Sequence, residues 1–524
     1  MFGMNVLDGI VFIAYFVIVL VIGFLASRKK KETAVDYFLT KGTLTWYVIG
    51  FSIIAASIST EQLIGTVGFA YKYGLAVVNW EWLNFIGYSI LLWIFIPIYL
   101  KKKIVTMPQF LENRFGVSSR TLFSVISILT YVFINLAGVI FSGGFALNKI
   151  FGINLYVAIW LLCITAGFFT IYGGLSSVAW TQVFQAILLI GGGMLITYLG
   201  LEKVPGGLKA IIGAGERAHL MLPASHPALP WTGMLVLATS TNIWYYCSNQ
   251  YINQSCLGAK SHWDAKLGII LACFLGLFMT FAHTFPGLIA YAINPNLASA
   301  DEALPFLIHN LVPIGLKGLV FAGLCAAIMS TIAALVNSTS TLVTLDIYKK
   351  FINKNSSEKD LIKFGRICGT VILITGALWA PVVLKFGNIF SYFQECWFFI
   401  AAPCAVVFMA GVLWKRANNA GAFWTLCLCI PMFFFPYLLR TLKVGINPFN
   451  MAGLVLIFSI IYMVVITLLS SSPKEEKIKD FLWNWSMRKL PEEEVVKGYP
   501  LYKHLIIWWS IVVGIFILLY IIFW

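Results

Sequence analysis

Fourteen stretches of this 524-residue chain are apolar and about as long as a bilayer-crossing helix, and that pattern constrains its fold most. They fall near 7–26, 45–70, 79–100, 120–147, 155–173, 180–200, 230–256, 267–293, 316–345, 366–384, 388–413, 420–439, 449–471 and 504–524. A helix needs ~20 apolar residues to cross the hydrocarbon core, more when tilted or broken. Only 11% of residues are charged and 60% are hydrophobic, against ~25% charged in soluble proteins. The fold class expected is an all-α polytopic membrane protein. The connections at 201–229, 294–315 and 472–503 are the only sizeable ones, and none is long enough for a soluble domain. The apolar run from Ile10 to Ala26 precedes its charges, so it reads as a retained span and not as a signal peptide.

A net charge of +15 could suggest nucleic acid in a soluble protein. Here the charges lie between spans. With the loop after the first span placed inside, inside loops hold 27 of the 36 Lys and Arg residues and outside loops hold 9. This is the positive-inside bias, and it puts both termini outside in a plasma (bacterial inner) membrane. The expected partners are therefore lipid and small solutes; neither nucleic acid nor an obligatory protein partner is called for. No Lys or Arg is left within a span. The ten Cys show no paired spacing. Cys163, Cys273, Cys325, Cys368, Cys427 and Cys429 read as buried free thiols, neither disulfides nor a zinc site.

One span is interrupted. In 51–66, FSIIAASISTEQLIGT, the centre reads Ser57-Ile58-Ser59-Thr60-Glu61-Gln62. An ionisable group at membrane depth costs ~2.5–3.5 kcal/mol or more and marks a functional site by default. Spans two to six and seven to eleven form two sets of five. The first span of the second set is interrupted too, by Thr239-Ser240-Thr241-Asn242 and Ser248-Asn249-Gln250. Matching interruptions in two halves point to an inverted-repeat transporter site. The expected organisation is an extra span and loop (1–44), a first five-helix repeat (45–200), an external loop (201–229), a second repeat (230–413) and three further spans (414–524).

Three acidic residues lie inside spans, Glu61, Glu81 and Glu395; Asp8 and Asp346 lie at span ends. Buried carboxylates need partners. These three could staple helices through polar networks, or they could face a ligand. Glu81 stands between Trp80 and Trp82, an environment suited to stacking a sugar. An anionic ligand would want Arg or helix N-termini. The set Gln62, Glu81, Asn84, Asn242, Tyr245 and Gln394 suits a neutral, hydroxyl-rich ligand better. Ser330 and Thr331 lie in a small-residue helix, where they could simply allow close packing. Facing freed carbonyls of a broken helix, they would instead complete an all-oxygen cage for a hard monovalent cation. His283 lies well inside a span with no carboxylate near it in sequence, and reads as a satisfied core histidine. There is no Walker A motif, so ATP drive has no support. No nucleophile–base pair stands at membrane depth, so an enzyme is not expected.

The stretches SIIAASISTEQLIG, GLAVVNWEW, IYGGLSSVAWTQVFQ, NIWYYCSNQY, VFAGLCAAIMSTIAALVNSTSTLVTLDIYK and SYFQE resemble the solute:sodium symporter family, nearest its bacterial sodium/galactose branch. The resemblance runs from about residue 8 to the last span. It implies a five-plus-five inverted-repeat core, with one span before it and three after. It places sodium, as co-transported ion, on carbonyls of Ala55, Ile58 and Ala327 and hydroxyls of Ser330 and Thr331. It places sugar at Gln62, Glu81, Asn242 and Gln394, an inner gate at Tyr245 and outer gate positions at Thr66, Trp80 and Phe390. The chain departs from the branch in several places. Gly276 stands for a sugar-contacting lysine, Asn84 for a serine, Ser57 for an asparagine, and Thr66 and Trp80 for Met and Tyr. Gln182 stands where an acid serves a second sodium site in some members, which implies one sodium per substrate. The expected function is sodium-coupled import of a neutral hexose such as galactose or glucose by alternating access. The alternatives are a symporter of myo-inositol, proline or a carboxylate such as sialic acid, and a non-coupled sugar sensor or pore. Glu61 is expected to brace the break through Asn135 or Asn249.

Overall fold

A computed structural model describes residues 5–28, 33–40, 42–212, 215–386, 389–432, 438, 441–442, 447–495 and 500–524, without the side chains of 60–61, 149–151, 212, 384–386, 389–392, 394–395, 398–399 and 502. Among these the chain is helical, and the only β pairing is two isolated bridges, Leu44 with Ala259 and Leu222 with Pro230. Nine helices among the described residues are long and apolar enough to cross a bilayer unaided. Trp46–Ser57, Ile400–Leu413 and Asn419–Met432 are apolar but shorter.

Burial sorts the helices by depth in the bundle. The apolar window of Leu316–Ile352 is 94% buried, whereas those of Val6–Ser27 and Leu505–Phe523 are 17% buried. The first is the bundle's axis; the other two face lipid over most of their circumference. Val6–Ser27 (α1) buries only Asp8, Tyr15, Val19 and Gly23, a stripe at helical spacing. Lipid is as apolar as Leu, so association there depends on close packing and polar contacts. Asp8 supplies one such contact by accepting from the backbone N–H groups of Gly315 and Gly318 at 2.8 and 2.9 Å.

The two polar interruptions are breaks in helices. Trp46–Ser57 (α2) ends at Ser57. Ile58 and Ser59 are extended, and Thr60–Tyr73 (α3) then resumes. In the second half, wide π-helical turns at Leu237–Thr241 and Trp244–Ser248 lead to an extended Asn249 before Gln250–Leu257 (α4). Wide turns inside helices are uncommon and concentrate at functional sites. Tyr131 braces this second break. Its hydroxyl donates to Asn249 Oδ1 (2.9 Å) and accepts from the Gln250 backbone N–H (2.8 Å).

Leu155–Lys203 runs 49 residues, too long for one crossing of a ~30 Å core at ~1.5 Å per residue. It is two helices joined at Gly174, whose φ of 59° and ψ of −162° are non-helical. This corresponds to the boundary expected between the fifth and sixth spans. His262–His283 (α5) is followed by Phe285–Ile293, and Pro286 in the first turn of the second helix accounts for the interruption at Thr284. Leu316–Leu342 (α6) is uninterrupted and carries Ala327, Ser330 and Thr331. Of the cysteines expected to be buried, Cys163, Cys273, Cys325 and Cys429 are, while Cys368 and Cys427 are partly exposed, because they lie toward the outer faces of their helices.

Candidate ion and substrate site

The end of a helix leaves its last carbonyls without an N–H from a following turn. At the end of α2 these carbonyls meet hydroxyls brought from distant helices. Ser330 Oγ lies 2.7 Å from Ala55 O and 2.8 Å from Ala327 O. Thr331 Oγ1 lies 3.2 Å from Ile58 O, 3.1 Å from Ala327 O and 3.5 Å from Ala56 O. Tyr245 Oη donates to Ser57 O at 3.3 Å. The five groups expected to hold sodium are thus gathered in one place, two of them from a break and three from the buried axis.

The cage is short of protons. Ser330 and Thr331 have one hydroxyl hydrogen each, and each faces more than one carbonyl oxygen. The excess of oxygen lone pairs suits a hard cation, which oxygen ligands prefer. Gln182 adds a neutral partner from Leu155–Lys203. Its Nε2 donates to Ser330 O (3.1 Å), and its Oε1 accepts from Ser52 Oγ (2.5 Å), which also contacts Ser255 Oγ (2.7 Å). The position where the resemblance expects an acid therefore holds an amide that is already engaged on both ends.

A turn beyond the break, a cavity opens between the two interrupted segments. Gln62, Trp80, Glu81, Asn84, Asn242 and Tyr245 line it, as does Ser57. Thr66 is buried but is not among the residues lining it. The side chains of Glu61, Phe390, Gln394 and Glu395 lie outside the described residues. Of the expected braces for Glu61, Asn249 Nδ2 donates to Tyr245 O at 3.2 Å, while Asn135 Nδ2 has no hydrogen-bond partner among the described residues.

Three buried polar atoms at the cavity have no hydrogen-bond partner among the described residues: Gln62 Oε1, Thr241 Oγ1 and Asn242 Nδ2. Buried polar groups are almost always partnered, and these three offer both donor and acceptor capacity to whatever fills the cavity. Asn84 Nδ2 donates to Glu81 Oε2 at 3.2 Å. Tyr245 makes a tilted contact with Trp397, at 5.6 Å between ring centroids, and an edge-on contact with Tyr246 at 5.1 Å.

Trp397, Tyr246 and Thr241 line the cavity but were not expected from sequence. Trp397 comes from Ile389–Leu413. His283 corrects the sequence reading. It is only half satisfied and is close to an acid: Nδ1 contacts Thr284 Oγ1, but Nε2 lies 3.6 Å from Glu81 Oε1 and has no hydrogen-bond partner among the described residues. The two residues lie 202 positions apart, so no sequence window could contain the pair.

Arg120 pairs with Glu112 and Asp346, and Lys350 pairs with Glu112. Thr106 Oγ1 also donates to Asp346, at 3.0 Å. Burial pushes the Glu112 carboxyl up, but the Lys350 ammonium and Arg120 guanidinium outweigh it and hold it below the usual carboxylate range.

A model of the sodium:solute symporter family matches residues 37–429. The chain is 37% identical over 464 residues to the sodium/glucose cotransporter of Vibrio parahaemolyticus, covering 83% of this chain and 85% of that protein. It is 32% identical over 459 residues to the sodium/myo-inositol cotransporter of Mus musculus, covering 78% and 64%. The fold is similar to that of a Na+-coupled sialic acid symporter solved in a substrate-bound outward-open state, with a TM-score of 0.80 at 24% identity over 91% of this chain and 100% of that one. This chain belongs to the sodium:solute symporter family. It is a multi-pass membrane transporter coupled to sodium, built on the inverted-repeat fold that its two broken helices imply, and not an enzyme.

Proposed function

We propose that the solute is a neutral sugar, a hexose such as glucose or galactose, imported with one sodium ion by alternating access. The observation that carries this reading is the chemistry of the cavity. Its described lining offers one carboxylate, three amides, hydroxyls and aromatic faces, with no Lys or Arg among them. A carboxylate solute would meet Glu81 with no cation to offset the repulsion. A polyol can satisfy Gln62, Thr241 and Asn242 together. The relative from Vibrio, a sodium/glucose cotransporter, supports the same reading. Myo-inositol, a cyclic polyol, meets the same chemical demand, and a mouse relative is a sodium/myo-inositol cotransporter.

In this reading, sodium binds Ala55, Ile58, Ala327, Ser330 and Thr331 and fixes the break in α2 against α6. Sugar then binds at Gln62, Glu81, Asn84, Asn242 and Gln394, against Tyr245. Thr66, Trp80 and Phe390 close above it, and Tyr245 moves aside on release. Gln182, a neutral amide in place of an acid, supports one sodium per sugar. The Lys and Arg bias supports a plasma-membrane location with both termini outside, and the division into repeats at 45–200 and 230–413 accords with the positions of the two breaks. The test is uptake of labelled glucose, galactose, myo-inositol and sialic acid into proteoliposomes with and without an inward sodium gradient. Sodium-driven uptake of a hexose, lost in the S330A/T331A double variant, is the expected result. Sodium-independent uptake, or a preference for the acid, would falsify the reading.

A further inference from the structure

We infer that His283 is a positioning residue for Glu81, and that the histidine–carboxylate pair lets Glu81 accept two hydroxyls from a vicinal diol of the sugar. This rests on the sugar reading above and adds a specificity element to it. Glu81 lines the cavity, and each of its oxygens has a flanking group: Asn84 Nδ2 at 3.2 Å from Oε2 and His283 Nε2 at 3.6 Å from Oε1. His283 is completely buried at the end of α5. Its other nitrogen, Nδ1, is engaged by Thr284 Oγ1 at 3.2 Å. That contact orients the ring and leaves Nε2, which has no hydrogen-bond partner among the described residues, as the atom that faces the carboxylate.

A carboxylate has about four acceptor positions. One neighbour on each oxygen fixes its plane and leaves capacity on both oxygens for donors from the cavity. Two adjacent hydroxyls of a pyranose or a cyclitol present two donors at a spacing that one carboxylate can take together. A carboxylate free to rotate would have to be ordered at the moment of binding, at a cost in affinity. The same helix carries Gly276 two turns earlier, where an ideal Cβ would meet no atom within 4 Å. No side chain of that residue competes with His283 for the acid.

The experiment compares wild type, H283L, H283Q and H283N in proteoliposomes, with D-glucose and its monodeoxy derivatives as probes. Glutamine can place a donor where Nε2 lies, while asparagine is too short. H283L and H283N should raise the glucose half-saturation concentration by ~10-fold or more, with maximal rate and sugar-free sodium affinity within about twofold of wild type, as expected when the polar neighbour that holds the Glu81 carboxylate plane is removed. H283Q should restore wild-type half-saturation. The H283L penalty should vanish for the monodeoxy sugar that lacks a hydroxyl of the diol, which is the signature of a coupled pair. Glutamine and asparagine behaving alike, an unchanged H283L, or an equal penalty for every deoxy sugar overturns the inference while wild-type sugar uptake stands. Absence of sodium-driven sugar uptake in the wild type overturns the sugar reading itself, and this inference with it.

Discussion

Ser330 donates from its hydroxyl to the carbonyl oxygen of Ala55 at 2.7 Å across 275 residues of sequence. That contact joins the broken α2 to the buried α6, and it lies where sodium is proposed to bind. Removing the hydroxyl takes one oxygen from the cage and one donor from a buried helix end. S330A should raise the sodium concentration for half-maximal uptake by ~10- to 100-fold, equivalent to ~1.5–3 kcal/mol for a contact to a charged group. Sugar uptake measured against sodium concentration checks this, and an unshifted curve would remove Ser330 from the ion site.

Tyr245 is proposed as the inner gate, and its hydroxyl holds Ser57 O. Y245F keeps the ring and loses one neutral hydrogen bond, ~0.5–1.5 kcal/mol. Sugar half-saturation should change by less than ~10-fold, while efflux of preloaded sugar without sodium should rise. Y245A removes the aromatic face as well and should abolish measurable binding. Equal phenotypes for the two variants would mean that the hydroxyl, not the ring, carries the function.

Gln182 bridges Ser52 and Ser330 as a neutral amide. Q182D should bring a negative charge beside the cage and raise the charge moved per sugar from one toward two. The reversal potential of sugar-coupled current gives the ratio directly. A ratio of two already in the wild type would contradict the single-sodium proposal.

Gly174 joins two helices at a φ of 59°, and an added Cβ would lie 2.4 Å from Tyr37 O. Positive φ is costly for residues with a Cβ, by ~1–2 kcal/mol, and the backbone oxygen has no room to yield. G174A should fail to accumulate as a monodisperse membrane protein on size-exclusion chromatography. Wild-type yield would show that the joint can bend elsewhere.

Glu112 contributes a pH dependence outside the membrane-spanning segments. Its folded carboxyl is held low by Lys350 and Arg120, so its stabilisation is present above the unfolded value, ~4.3. It fades as pH falls through the lower folded value. The pair is partly solvated, so the contribution is ~1 kcal/mol or less. Thermal unfolding in detergent should show a small loss of stability on acidification below pH ~4 that E112Q lacks.

The all-helical membrane character, the two interruptions and the gathering of the residues proposed to hold sodium were legible because each is a local property of composition or of a contiguous motif. Ala55 and Ile58 sit in one polar break, and Ser330 and Thr331 are neighbours. The Glu81–His283 pair was not legible, since its members come from helices with no shared period or spacing. Trp397 escaped for a different reason. An aromatic residue in an apolar helix looks the same whether it faces lipid or a ligand, until the neighbouring helices are placed. The engagement of Gln182 with Ser330 likewise required the packing of Leu155–Lys203 against α6; the sequence indicated only that an acid was missing.

The amide at Gln182 also bears on energetics far larger than its own hydrogen bonds. Under the proposed ratio of one sodium per sugar, one charge crosses per cycle, and each 100 mV contributes ~2.3 kcal/mol to uphill transport. That corresponds to about a 50-fold accumulation of a neutral sugar, multiplied once by the sodium ratio. A second ion would square both factors. Under that proposed ratio a cell would spend less ion gradient on each sugar, and would need sugar at higher outside concentrations to fill itself.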